Sequence, residues 1–399
     1  MTFKIASACL WAASTMLVCG SLSGEASAAV FTWAGNNANW NSNSSWLNNA
    51  LPANSDSVLF TNAGSGTASG VNLTRTLANI TFDASANRTF TLTQSGASVT
   101  TLGSLANDSG SAQVLNNNIA LSSGSGVVNT GSAGITLGGR LTGSGNYSKS
   151  GSGLLQITNG NNSGYKGTLT VDSGSLKLVT GIDAASIVVN SGATLYTAND
   201  FAEGGAGSIT VNAGATLEPG EVANGGYGAF NVTNNITLNA GSATNVGVGS
   251  IVDFDQIISN VSGLGGTTTF GGALTISMDY TPTTFGTTAP YFLDGNSWAL
   301  FSSGSFAGDF TSINMTGAYG NVSFTKLDNN VWQSQYLGNG QQFNFYVNDA
   351  NGGVAGTLYA VPEPSTIVFA GIGMAMVGWS IWTRRRAKSR RQAIEAAIA

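Results

Sequence analysis

One short unit is written four times in the middle of this chain, and that repetition constrains the fold more than any single residue. Leu169-Thr170-Val171-Asp172-Ser173-Gly174 matches Ile187-Val188-Val189-Asn190-Ser191-Gly192, then Ile209-Thr210-Val211-Asn212-Ala213-Gly214, then Ile236-Thr237-Leu238-Asn239-Ala240-Gly241. The closing glycines fall 18, 22 and 27 residues apart, a spacing suited to one coil of a parallel β-helix with loops of variable length. In each copy the first and third residues are aliphatic and face one side of a short strand, while the second is mostly Thr or Val. Asp172, Asn190, Asn212 and Asn239 begin the turns, and Gly174, Gly192, Gly214 and Gly241 supply positive φ where a Cβ would clash. Stacked coils would bring the four Asn/Asp side chains into register as a hydrogen-bonded ladder. The same Asn-x-Gly strings also suit hairpin turns of an antiparallel sheet, so at this level both arrangements stay open.

The composition agrees with many short strands. Of 399 residues 55 are Gly and only 8% are charged, yet 42% are hydrophobic, which is too apolar for a disordered linker and enough to bury a core. Between Val30 and Val361 there are 16 acidic residues against 7 basic ones, a balance that repels nucleic acid and anionic polymers. His is absent, and Cys occurs only at Cys9 and Cys19. The commonest metal ligand and general base is therefore missing, and no disulfide framework is expected.

Both ends read as addresses. Lys4 precedes the apolar stretch Ile5 to Val18, and Ala26-Ser27-Ala28 places small residues where signal peptidase requires them, predicting export through the Sec machinery and cleavage after Ala28. Ser365 to Trp382 carries no ionisable side chain, and as a helix it would span roughly 27 Å. Arg384, Arg385, Arg386, Lys388, Arg390 and Arg391 follow, the cluster that stays cytoplasmic under the positive-inside rule. A single-pass inner-membrane intermediate with its bulk outside is the expected topology.

Val361-Pro362-Glu363-Pro364-Ser365, the apolar stretch and the Arg cluster together resemble a PEP-CTERM sorting signal. The resemblance implies recognition by an exosortase-type membrane protease, cleavage near Pro362, Glu363 and Pro364, and passage of the ectodomain to the cell surface or extracellular matrix. The tail from Ala387 to Ala399 is longer than such signals usually carry. A second resemblance covers Gly143 to Leu176, where Gly-x-Gly, Lys149, Gly151-Ser152-Gly153-Leu154-Leu155 and Gly167-Thr168-Leu169-Thr170-Val171 are similar to the autotransporter-associated β-strand repeat. That family implies right-handed β-helix coils of surface passengers, although one C-terminal helix cannot replace an autotransporter's β-barrel.

The flanks differ from the repeats. Trp33, Trp40 and Trp46 lie in a Gly/Asn/Ser-rich opening, predicting an N-terminal cap that covers exposed coil ends; a Trp platform for stacking sugars is the alternative. After Gly265-Gly266 the repeats stop and aromatic residues increase, predicting a β-sandwich or an end-cap sheet. The expected class is all-β: a right-handed parallel β-helix-like repeat region with an N-terminal cap, a C-terminal β-sandwich or end-cap sheet, and one C-terminal transmembrane helix. The expected boundaries are a signal peptide at 1–28, the Trp-rich cap at 29–75, the repeat region at 76–264, the C-terminal β-rich region at 265–360, the sorting signal at 361–386 with its helix at 365–382, and a cytoplasmic basic tail at 387–399.

Chemistry has few candidates. Asp253 and Asp255 are two apart and would share a strand face, and Glu218 and Glu221 flank Pro219-Gly220, so either pair could begin a Ca²⁺ site or a glycosidase pair. Neither has the further spaced acidic ligands of a Ca²⁺ loop, and solvated turn carboxylates are the plainer expectation. The expected function is an exported structural or adhesive surface protein associated with extracellular polysaccharide, not an enzyme, and requiring no cofactor. The rival is a β-helix carbohydrate-binding or carbohydrate-active protein, which would need acids, bases and exposed aromatic rings converging on one face.

Overall fold

The computed structural model describes residues 28–362 apart from 37–38, 123, 198–206, 221–225, 251, 260–264, 280–295, 328–329, 338–340 and 350–352. Ala26, the apolar stretch 365–382 and Arg384, Arg385 and Arg386 lie outside the described residues. Among the described residues no helix is long and apolar enough to cross a membrane.

Short strands with alternating burial wind into a parallel β-solenoid. In Thr168–Val171, Ser186–Val189 and Ser208–Val211 the aliphatic second and fourth residues are buried, while the first and third face outward. Parallel pairing without a register shift stacks like on like. Leu169, Ile187, Ile209 and Ile236 form one inner column, and Val171, Val189, Val211 and Leu238 form another. Leu176, Leu195 and Leu217 repeat the pattern across the core. Each such side chain is almost fully buried, which is worth about 1.5–3 kcal/mol per residue.

The coils build two long sheets of 15 and 16 strands, and a short third wall joins Ala229–Val232, Gln256–Ser259 and Phe301–Ser303. Thr168–Val171 and Gly174–Leu178, on either side of one Asp-x-Gly turn, belong to different sheets. These turns are therefore corners of a coil, and the hairpin arrangement is ruled out.

Buried aromatic rings close the first coils. Trp33, Trp40 and Trp46 are all at most 2% exposed, with Trp46 edge-on to both of the others at 5.4 Å. Trp46 Nε1 donates to Trp40 O at 3.0 Å, and the Trp40 amide donates to Gly70 O at 3.1 Å, holding this segment along the first strand of the second sheet. The Leu47 amide donates to Thr32 O at 3.0 Å over the first strand of the other sheet. A sugar-stacking platform needs open ring faces, so the burial of all three rings overturns that alternative for these tryptophans.

At the other end parallel stacking continues past Gly265-Gly266. Thr267–Phe270 and Ala273–Met278 make one further coil, and Ser305–Gly308 with Ser312–Gly317 make another. Repetition is hidden there because Phe270-Gly271-Gly272 takes the place of an aliphatic-Asn-x-Gly string. Antiparallel strands Val322–Lys326, Val331–Ser334, Gln341–Tyr346, Thr357–Pro362 and Ser297–Ala299 then extend the second sheet as an end cap. Phe270, Phe301, Phe310 and Phe345 pack together beneath it. The β-sandwich alternative is replaced by this continuation of one sheet.

Candidate functional site

The turn residues form a continuous ladder. Asn190 Nδ2 donates to Asp172 Oδ1 at 2.7 Å, Asn212 Nδ2 to Asn190 Oδ1 at 2.8 Å, and Asn239 Nδ2 to Asn212 Oδ1 at 2.9 Å. A carboxylate only accepts, so Asp172 fixes the orientation of Asn190 and, through it, of each amide above. The backbone reinforces the stack, since the amides of Asn190, Asn212 and Asn239 donate to Val171, Val189 and Val211 carbonyls at 2.9 Å. Gly174, Gly192, Gly214 and Gly241 all have positive φ, between 65° and 84°. The ladder stops at Gly271, where a Cβ would lie 2.2 Å from Leu238 O.

Outward positions beside this ladder are uncharged. Thr168, Ser186 and Ser208 share one column, and Thr170, Val188, Thr210 and Thr237 share the next. Thr168 Oγ1 and Ser186 Oγ are hydrogen-bonded at 3.1 Å. This face presents hydroxyls and methyl groups at strand spacing, about 4.8 Å between coils.

Asp253 and Asp255 sit in different surroundings, one in an exposed turn and the other inside the fold. Asp255 is fully buried and accepts N–H bonds from Gly228 at 2.8 Å and Gly247 at 2.7 Å. Burial pushes its carboxyl up to about 7, with Glu218 and Asp279 adding to the effect and the two N–H bonds opposing it. Asp253 is exposed in a turn, where Ser250 Oγ donates to it at 3.3 Å. The chain bends at Phe254 to bridge Val248, and the strand begins only at Gln256, so Asp253 and Asp255 do not share a strand face as their spacing suggested. Glu221 lies outside the described residues. Nearby, the Tyr227 hydroxyl donates to Asp279 at 3.0 Å, and burial together with that bond raises its pKa to about 12. Among the described residues no group of three or more His, Cys, Asp or Glu is placed to hold a metal ion.

Besides Asp255, which is not the solvated turn carboxylate expected, a second buried charge escaped the reading of the sequence. Lys149 is fully buried in the inner column between Val128 and Val171. Its Nζ donates to the carbonyls of Gly151 and Ser173, both at 2.6 Å, and of Ser150 at 3.3 Å. Burial lowers its pKa to about 8. A Cβ on Gly174 would sit 2.6 Å from that nitrogen, so this glycine provides space as well as its positive φ. The signal was the alternation itself, because Tyr147 and Lys149 occupy the two inward positions of Asn146–Ser150.

The last strand of the described residues lies in the end cap. Thr357–Pro362 pairs antiparallel with Gln341–Tyr346, with Ala360 opposite Phe343, Val361 opposite Gln342 and Pro362 opposite Gln341. The Ala360 amide donates to Asn296 O at 2.9 Å on the other side. Ala28 is exposed at the opposite terminus of the described chain, whereas Glu363 and Pro364 lie outside it.

Residues 360–386 match the PEP-CTERM protein-sorting motif. A comparison with curated proteins gives no match. The matched stretch begins inside the last strand of the cap, which places the folded body directly against the sorting motif.

Proposed function

We propose that this chain is an exported structural or adhesive protein of the cell surface or extracellular matrix, working through the shape and uncharged face of its solenoid. The motif at 360–386 implies export and processing by an exosortase, a membrane protease. The finer route is that signal peptidase cuts after Ala28, the 365–382 helix holds a single-pass intermediate in the inner membrane with Arg384, Arg385 and Arg386 on the cytoplasmic side, and cleavage near Pro362 to Pro364 frees the body. The observation that carries this reading is the junction of a capped β-solenoid with a sorting motif and no intervening linker. Its acidic balance disfavours anionic polymers, so the preferred matrix partner is a neutral polysaccharide.

Fractionation of cells and medium, with mass spectrometry of the body in each fraction, tests the route. The expected surface or secreted form begins at Ala29 and ends by about Pro364, and it is retained by neutral polysaccharide without cleaving it. Recovery of Trp382 in the secreted form would contradict the processing step. Steady release of sugar fragments would favour a carbohydrate-active protein instead.

A further inference from the structure

We propose that sorting is coupled to opening of the cap: the last strand must peel from its neighbour before the protease can cut. The inference rests on the processing route above and concerns what the folded body imposes on it. Residues 360–362 belong both to the sorting motif and to the paired strand Thr357–Pro362. A protease takes the residues flanking a scissile bond as unpaired, extended chain, so cleavage of a structured segment draws on its open form. Here the residues just before the motif's Glu363 are held by pairing to Gln341, Gln342 and Phe343, and by the Ala360 amide on Asn296 O. Leu358 is fully buried and anchors the strand further in. Opening can therefore run from Pro362 back to Ala360 and stop at Leu358, leaving the rest of the cap folded. An incompletely folded cap exposes the motif more often than a finished one, so processing reads the state of the cap.

The test is made on the full chain in a host carrying the sorting machinery, by following conversion of precursor to processed form in a pulse-chase experiment. The body has no cysteine after Cys19, so Gln342→Cys with Val361→Cys introduces a single cross-strand disulfide between directly opposed residues. The oxidised variant is expected to convert at least about tenfold more slowly than wild type, a ratio equal to about 1.4 kcal/mol. Reduction should restore the rate. An insertion of about six Gly and Ser residues between Val361 and Pro362, a flexible coil, should speed conversion of the wild-type body and rescue the disulfide variant. Resistance of the body to added protease checks that each variant is folded. Equal conversion rates in wild-type, cross-linked and linker-bearing chains would overturn the coupling while leaving the processing route standing. Absence of conversion in every chain, wild type included, would overturn both.

Discussion

At the scale of single residues, the solenoid buries two ionisable groups that titrate near neutrality. The Asp255 pKa is raised from an ordinary 3.8 to about 7 in the folded chain. The folded state therefore binds more protons than the unfolded one between those values. This contribution to stability is complete below about pH 4 and is lost as the pH rises through about 7. Denaturant midpoints measured from pH 5 to 8 should fall with rising pH, by up to about 1.4 kcal/mol per pH unit, and Asp255→Asn should flatten that slope. Gly271 allows a second residue-scale test. Gly271→Asn would seem to extend the ladder, but its Cβ would meet Leu238 O at 2.2 Å, so a loss of about 1–3 kcal/mol is expected in urea unfolding. Lys149 was legible only through its inward place in the alternation of Asn146–Ser150, and Asp255 was not legible as a buried charge. The groups that satisfy Asp255 are backbone amides of Gly228 and Gly247, brought together only by coiling, and no local pattern announces such an approach.

At the scale of elements, the corner ladder joins coils that otherwise meet only through backbone bonds and core contacts. Asn212 is its central rung, donating to Asn190 and accepting from Asn239. Asn212→Ala should cost about 1–2 kcal/mol, measurable as a lower denaturant midpoint, with faster hydrogen exchange at the amides of Asn190 and Asn239. Asn239→Ala, at the end of the ladder, should cost less because it removes one rung bond instead of two. Four coils were legible because their corners share the same residues. The flanking coils lack that string, because Thr130-Gly131 and Gly271-Gly272 turn the same kind of corner with different residues. Inner alternation survives in both places, with Val128 buried before the first corner and Phe270 before the second.

At the scale of the whole molecule, a stack of coils is held by nearest-neighbour contacts, so its ends matter out of proportion to their size. Trp46→Ala removes the ring that touches Phe31, Trp33 and Trp40. The expected loss is about 3–5 kcal/mol, with self-association in light scattering as the first strands become available for edge pairing. Cap and end sheet could be foreseen from the clustering of aromatic residues, but their extent could not, since the last coils lack the repeat string that marks the others. From the tryptophan end to the start of the end cap the coils stack in parallel, so each adds a step of about 4.8 Å. The body is in effect a gauge rod: duplicating or deleting the stretch 186–207, one coil by register, would reset the distance between its two tips by a single notch and leave both fittings unchanged.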